Sequence, residues 1–160
     1  MMQGKIHVFL SYAHKDKVLK DQLTRHLSLL KRRDDINVWH DCHIGPGTEW
    51  ERDIETKLNT AHLILLLVSP NFIDSEYCYG KEMKRAVERH NLGDARVIPI
   101  ILCPVDWQEA PFGKLLALPS DARPVTMWRN RNQAFLDITQ ARLYPYFGSA
   151  ERGESKSAIM

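Results

Sequence analysis

The sequence predicts an α/β module of three layers, a five-stranded, mainly parallel sheet with helices on both faces, and three observations predict it. Apolar runs rich in Ile, Val and Leu alternate with longer segments of helical period. The run from His62 to Val68 shows no polar alternation, as expected of a central strand buried on both faces. The chain's 160 residues, 44% hydrophobic and 26% charged, suffice for one domain with a substantial core.

Each element follows from local sequence. The first strand is Ile6 to Leu10, and Ser11-Tyr12-Ala13-His14-Lys15-Asp16 follows as a loop. Val18, Leu19, Leu23, Leu27 and Leu30 recur at helical spacing up to the polar stop Lys31-Arg32-Arg33-Asp34-Asp35. Ile36 to Trp39 reads as the second strand, and Ile44-Gly45-Pro46-Gly47 as a loop, because two glycines flank a proline. Thr48, with Glu51 three residues on, forms a capping-box pattern for a helix running to about Asn59. Ser69-Pro70-Asn71 ends the central strand. Asp74 or Ser75 then caps a helix whose buried stripe is Tyr79, Met83, Ala86 and Val87 and whose end lies near Asn91-Leu92-Gly93. Arg96 to Leu102 is another strand. Pro104, Pro111 and Pro119 leave room for a short helix around Phe112 to Leu116 before a weak edge strand from Pro124 to Trp128. A last helix runs from about Asn132 to Leu143. The domain thus spans 1–147, and the polar, breaker-rich segment 148–160 reads as a tail or linker.

Composition narrows the function. Twenty-two Lys and Arg against 20 Asp and Glu leave a formal charge of +2 without a long basic block, which argues against a nucleic-acid partner. The three cysteines, Cys42, Cys78 and Cys103, are widely spaced with no CxxC, so a reducing, cytoplasmic setting is expected. The longest apolar run, Leu63 to Val68, falls far short of the ~20 residues of a membrane helix, and no membrane partner is expected. His40-Asp41-Cys42-His43 has the residue types of a metal cluster. Strand alternation, however, would put His40 and Cys42 on one face and Asp41 and His43 on the other, so no metal site is expected there.

Five βα units also suit flavodoxin-like and receiver domains, and the motifs separate these classes. Val8-Phe9-Leu10-Ser11-Tyr12-Ala13 resembles the opening strand and Ser-Tyr signature of Toll/interleukin-1 receptor (TIR) domains. Asp41 followed by Ile44-Gly45-Pro46-Gly47 resembles their second motif and BB loop. Ser69-Pro70-Asn71-Phe72, Ser75, Tyr77-Cys78 and Glu82 resemble the third strand and catalytic-glutamate helix of the enzymatic, bacterial-type branch. Where that branch commonly carries Trp four positions before the glutamate, this chain has Cys78, flanked by Tyr77 and Tyr79. The resemblance covers roughly residues 5 to 147 and implies a flavodoxin-like TIR fold. It also implies an NAD⁺ glycohydrolase, activated by homotypic TIR assembly, that yields ADP-ribose or a cyclic isomer in signalling or anti-phage defence. In that reading Glu82 is catalytic, and Ser11, Tyr12, Ala13, His14, Asp41, Gly45, Trp50, Cys78 and Tyr79 line the substrate site. NAD⁺ is the substrate, and no cofactor or metal is implied.

The residues supply chemistry to match. Nicotinamide leaves NAD⁺ as a neutral pyridine, so little acid catalysis is needed and the ribose becomes oxocarbenium-like. A carboxylate beside that ribose stabilises the charge and accepts hydrogen bonds from the sugar hydroxyls. Counting from Ser75, Glu82 falls in the second helical turn, at the rim of its helix, able to project toward the C-terminal edge of the sheet where α/β folds bind ligands. Spacing alone also allows a solvated carboxylate paired with Arg85. Neither GxGxxG nor a P-loop is present, which disfavours a dehydrogenase and leaves loop amides after Ser11 and Gly45 for a pyrophosphate. Trp50 reads either as a base-stacking aromatic or as a packing residue, and Tyr12 and His14 as pocket or capped loop. A Cys78–His14 nucleophile pair lacks an evident orienting group. The competing function is a non-enzymatic TIR adaptor. A receiver-like module is disfavoured by the absence of the expected acidic cluster and Lys.

Overall fold

The computed structural model describes residues 6–40, 48–76 and 78–140, with the backbone alone described for 40 and 48–51. Strand β1 (Ile6–Ser11) leads through a 3-10 turn (His14–Asp16) into α1 (Lys17–His26) and α2 (Ser28–Arg32). Then come β2 (Ile36–His40), α3 (Thr48–Thr60), β3 (Leu63–Val68), α4 (Pro70–Asp74), a π-helical turn (Cys78–Met83) and α5 (Lys84–Asn91). Strand β4 (Arg96–Ile101) and α6 (Arg131–Ile138) complete the elements. The described strands form a parallel sheet of order β2-β1-β3-β4, with Phe9 opposite Ile64 and Ile64 opposite Val97.

Alternation along the strands sorts the core into two layers. Val8, Leu10, Leu63, Leu65, Leu67, Ile98 and Ile100 face Leu23, Leu27, Leu30, Phe135 and Ile138 from α1, α2 and α6. Phe9, Ile64, Leu66, Val68, Val97 and Ile101 face Ile54 and Leu58 of α3, and Met83 and Ala86 at α5. Helices therefore cover both faces of the sheet, as βαβ crossovers require. Among the described residues no helix is long and apolar enough to cross a membrane.

Several expectations are corrected. The sheet shows four strands rather than five among the described residues. Pro124–Trp128 contains a 3-10 turn, Val125–Met127, in place of the expected edge strand. Met127 and Trp128 spend their N–H groups on Pro124 and Val125 carbonyls, leaving Thr126 N–H to reach the Leu102 carbonyl at 3.0 Å. Beside β4, Leu118 makes a lone parallel bridge to Ile100, donating to the Pro99 carbonyl at 2.9 Å and accepting from Ile101 N–H at 2.8 Å. Pro99 has no N–H to offer a neighbour, which suits an edge strand.

Phe112 to Leu116 is a succession of turns and not a helix. Its N–H groups bond three residues back, Gly113 to Ala110 at 2.8 Å and Leu115 to Phe112 at 3.0 Å. A Cβ on Gly113 would lie 2.0 Å from the Gln108 carbonyl oxygen. Val18 points to solvent at 66% exposure, although its neighbours Leu23, Leu27 and Leu30 are buried. The helix expected from Asp74 or Ser75 divides into the π-helical turn and α5, and a short helix not expected from the sequence, α4, precedes it. Ser75 does act as a cap, its Oγ accepting Cys78 N–H at 3.1 Å.

Helix α5 ends as expected at Gly93, with φ +82°, where Gly93 and Asp94 donate N–H groups to the His90 and Arg89 carbonyls. Nothing lies within 4 Å of a Cβ built at Gly93, so Gly93→Ala should cost only conformational energy, about 1 kcal/mol. Gly113→Ala should cost distinctly more, on the order of 2–3 kcal/mol, because backbone must move. Equal midpoints for the two variants in urea unfolding would refute the close approach at Gly113.

Two histidines accept backbone N–H groups through Nδ1, His62 from His7 at 2.9 Å and His90 from Val97 at 3.0 Å. Burial lowers both pKa values below the ordinary 6.5, helped by His7 and Arg89 for His62 and by Arg96 for His90. The unfolded chain then binds these protons more readily, so their stabilising contribution is present above about pH 6.5 and is lost as pH falls. The midpoint of thermal unfolding should drop between about pH 7 and pH 5, and the double variant His62→Gln/His90→Gln should flatten that slope. A wild-type midpoint constant across this window would contradict the assignment.

Candidate functional site

Ser11 ends β1, opposite Leu66 of β3, and alternation turns it to the same face as Phe9, beneath the π-helical turn. There Ser11 Oγ–H donates to Glu82 Oε1 at 2.5 Å. Glu82 is 1% exposed and Ser11 fully buried. This corrects the expectation of a carboxylate at the helix rim. Nor does Glu82 take the solvated pairing with Arg85, whose Nε donates to Asn59 Oδ1 at 2.6 Å and whose NH1 meets Glu88 Oε1 at 2.7 Å. The widened helical turn accounts for the difference: π-helical insertions shift which residues face the core and often accompany functional sites.

The loop after β1 divides its side chains between the two faces. Tyr12 is 3% exposed and packs in the opposite core layer, with Lys20 Nζ 5.0 Å from its ring centroid. Its carbonyl accepts the Cys78 thiol at 3.3 Å. Ala13 is buried and His14 is exposed. Tyr79 is half-buried against the α3 and α5 layer. Asp41 and Gly45 lie outside the described residues, as does the side chain of Trp50 in α3. His40 ends β2, and the other members of its motif, Asp41 to His43, likewise fall outside. Cys103 is a free thiol, and burial raises its pKa.

Sequence reading missed Asp16. It is buried, accepting hydrogen bonds from Ser69 Oγ and, at 3.0 Å, from Asn71 Nδ2. The contacts tie the loop after β1 to the loop after β3. Ahead of a helix, an Asp reads as a cap, yet Asp16 makes no side-chain cap bond. No local signal would have pointed it at Ser69.

Beside Glu82 runs a groove of about 330 Å³, walled by Ile54, Glu55, Leu58 and Asn59 of α3 and by Lys81 and Arg85 on the other side. It has the size of a small-molecule cleft and combines apolar walls, cationic side chains and a buried carboxylate.

A parallel three-layer α/β module whose first strand ends under a buried glutamate defines the class. The TIR domain family profile matches residues 8–139, and the chain belongs to that family. It is 53% identical over 134 residues to an uncharacterized protein, y4lF, of Sinorhizobium fredii, covering 84% of this chain and 42% of that protein. Over 121 residues it is 28% identical to human Toll-like receptor 6 and 30% identical to the mouse receptor, covering 71% of this chain and 14% of each receptor. The chain therefore spans less than half the length of each of these relatives.

The Ser11–Glu82 contact should show as coupling. Ser11→Ala should destabilise the fold by about 1–2 kcal/mol, and in a double-mutant cycle with Glu82→Ala the effects should fall short of additivity by about 1 kcal/mol. Additive effects in chemical denaturation would show that the two side chains do not act as a pair.

Proposed function

We propose that this TIR domain cleaves NAD⁺ at the nicotinamide–ribose bond, with Glu82 as the catalytic residue and Ser11 as a positioning residue. The observation that carries the reading is the buried Glu82 side chain, hydrogen-bonded by Ser11 at the C-terminal end of β1 and bordering a groove. In the reaction the glycosidic C–N bond breaks with its electron pair passing to the ring nitrogen, and nicotinamide leaves neutral. Water adds to the ribose carbon and loses a proton, giving ADP-ribose; attack by a nucleophile within the same molecule gives a cyclic isomer instead. A carboxylate held in a low-dielectric wall stabilises the oxocarbenium-like state more than one in water would. Ser11 fixes one carboxylate oxygen and leaves the orientation of the other set by the same hydrogen bond.

At 1% exposure Glu82 does not meet a ribose without some movement around the groove. Homotypic assembly supplies a cause for such movement, so the free domain is weakly active and gains activity as copies associate. The second reading, a TIR adaptor that signals by TIR–TIR contact without catalysis, draws support from the similarity to Toll-like receptor 6 and from the same low exposure.

Nicotinamide release from NAD⁺ decides between them. Glu82→Gln keeps the shape and an acceptor for Ser11, and should lower the rate at least about a hundredfold, roughly 3 kcal/mol of transition-state stabilisation. Glu88→Gln, exposed on the same helical segment, should leave the rate unchanged. Glu82→Ala is the poorer variant because it also strips a buried partner from Ser11. Specific activity should rise with protein concentration. Release by Glu82→Gln at the wild-type rate, or none from wild type at high concentration or when forced to oligomerise, would transfer the assignment to the adaptor reading.

A further inference from the structure

The opposite end of the sheet carries a second concavity, of about 280 Å³. His90 from the last turn of α5, Arg96 at the start of β4 and Lys114 from the turns that follow β4 line it, with apolar walls from Val97, Leu115 and Leu116. Among the described residues no carboxylate lines it, and neither Arg96 nor Lys114 enters a salt bridge. By contrast, Lys20, Arg33 and Arg85 each pair with an acid at 2.7–2.9 Å.

Capping the end of α5 does not account for the three basic groups. The carbonyls of Arg89 and His90 are already met by Asp94 and Gly93 N–H groups, and the Arg89 guanidinium is spent on the Leu58, Ala61 and Asp94 carbonyls. His90 has a defined tautomer: because Nδ1 accepts Val97 N–H, the proton of the neutral ring sits on Nε2 and makes that atom a donor.

We propose that this pocket binds a phosphoryl group, with Arg96 and Lys114 as its cationic partners and His90 as a neutral third donor. Two cations and an N–H donor match a tetrahedral dianion with three free oxygens better than a planar, singly charged carboxylate. The volume lies just under the about 300–1,000 Å³ of typical ligand pockets, which suits a phosphoryl group with a small organic body. Leu116, 58% exposed, and Leu115 give such a body an apolar surface. The site is independent of the NAD⁺ reading, since Glu82 lies at the other end of the strands.

The test is titration of the whole chain with inorganic phosphate, pyrophosphate and phenyl phosphate at constant ionic strength, with chloride as the reference, followed by calorimetry and by backbone amide resonances. At least one of the three should bind saturably below about 10 mM, shifting amides around Val97 and Leu115. Arg96→Gln and Lys114→Gln, both at exposed positions on separate segments, should each weaken binding about tenfold, while Glu82→Gln should leave it intact. Preference for phenyl phosphate assigns a phosphate ester, preference for pyrophosphate a diphosphate, and equal binding of all three the free ion. No saturation with any of them, affinity unchanged in both variants, or binding lost in Glu82→Gln would overturn the proposal.

Discussion

The structure depends on the double burial of β3. All six of its residues, Leu63 to Val68, are fully buried, with β1 hydrogen-bonded on one side and β4 on the other. A strand so placed needs apolar side chains on both faces and a helical layer over each, and crossover helices between parallel strands supply both layers. Parallel strands also bring their C-terminal ends to one edge. At that edge the apolar runs of the two central strands stop at serines, Ser11 after Leu10 and Ser69 after Val68, and both serines are fully buried. Each donates to a buried acid from another element, Ser11 to Glu82 and Ser69 to Asp16. The same constraint that excludes polar groups from the strands thus concentrates them where the strands end.

That concentration has an energetic cost. Withdrawing a carboxylate from water costs several kcal/mol, and a hydrogen bond to a charged group returns about 1.5–3 kcal/mol. An apolar pair of similar volume at Ser11 and Glu82 would serve the core as well or better. Asp16 receives hydrogen bonds from both Ser69 and Asn71 and joins two loops that must close over the sheet edge. The Asp16 cluster is therefore accounted for by architecture. Glu82, held by Ser11, lies in a cleft wall, where a buried acid is a candidate for chemistry.

Sequence reading reached the layers and lost the irregular joints. Strands β1 to β4 were legible because their runs are apolar and bounded, α3 lies in the segment where a helix was expected, and the end of α5 was legible because Gly93 acts locally. The expected fifth strand failed at Pro124, where backbone donors turn inward to 3-10 bonds, and the expected short helix failed at Gly113, where a close backbone approach permits only turns. Val18 shares the spacing of its buried neighbours and differs only in how α1 sits on the sheet, which no local pattern encodes. Within the site, the resemblance singled out Glu82 and Ser11 separately. Their contact was not legible, because it depends on a π-helical widening over Cys78–Met83 that no residue there announces. Of the loop residues assigned to the substrate site, Tyr12 packs in the far core layer and His14 is exposed.

The two ends of the sheet are oppositely equipped. Glu82 and Asp16 gather at the C-terminal ends of the strands, whereas Arg96, His90 and Lys114 gather where β4 begins. Six residues of strand separate the ends, roughly 20 Å at about 3.3 Å per residue, about two and a half Debye lengths at physiological salt. Direct electrostatic coupling between exposed groups across that distance is weak. The shortest covalent connection between the two ends is α5, which carries His90 in its last turn and directly continues the π-helical turn that holds Glu82. A helix is a stiff lever only while its hydrogen-bond ladder is regular. The widened turn departs from the regular α-helical ladder immediately before α5, so the segment that carries Glu82 and the segment that carries His90 meet at that turn.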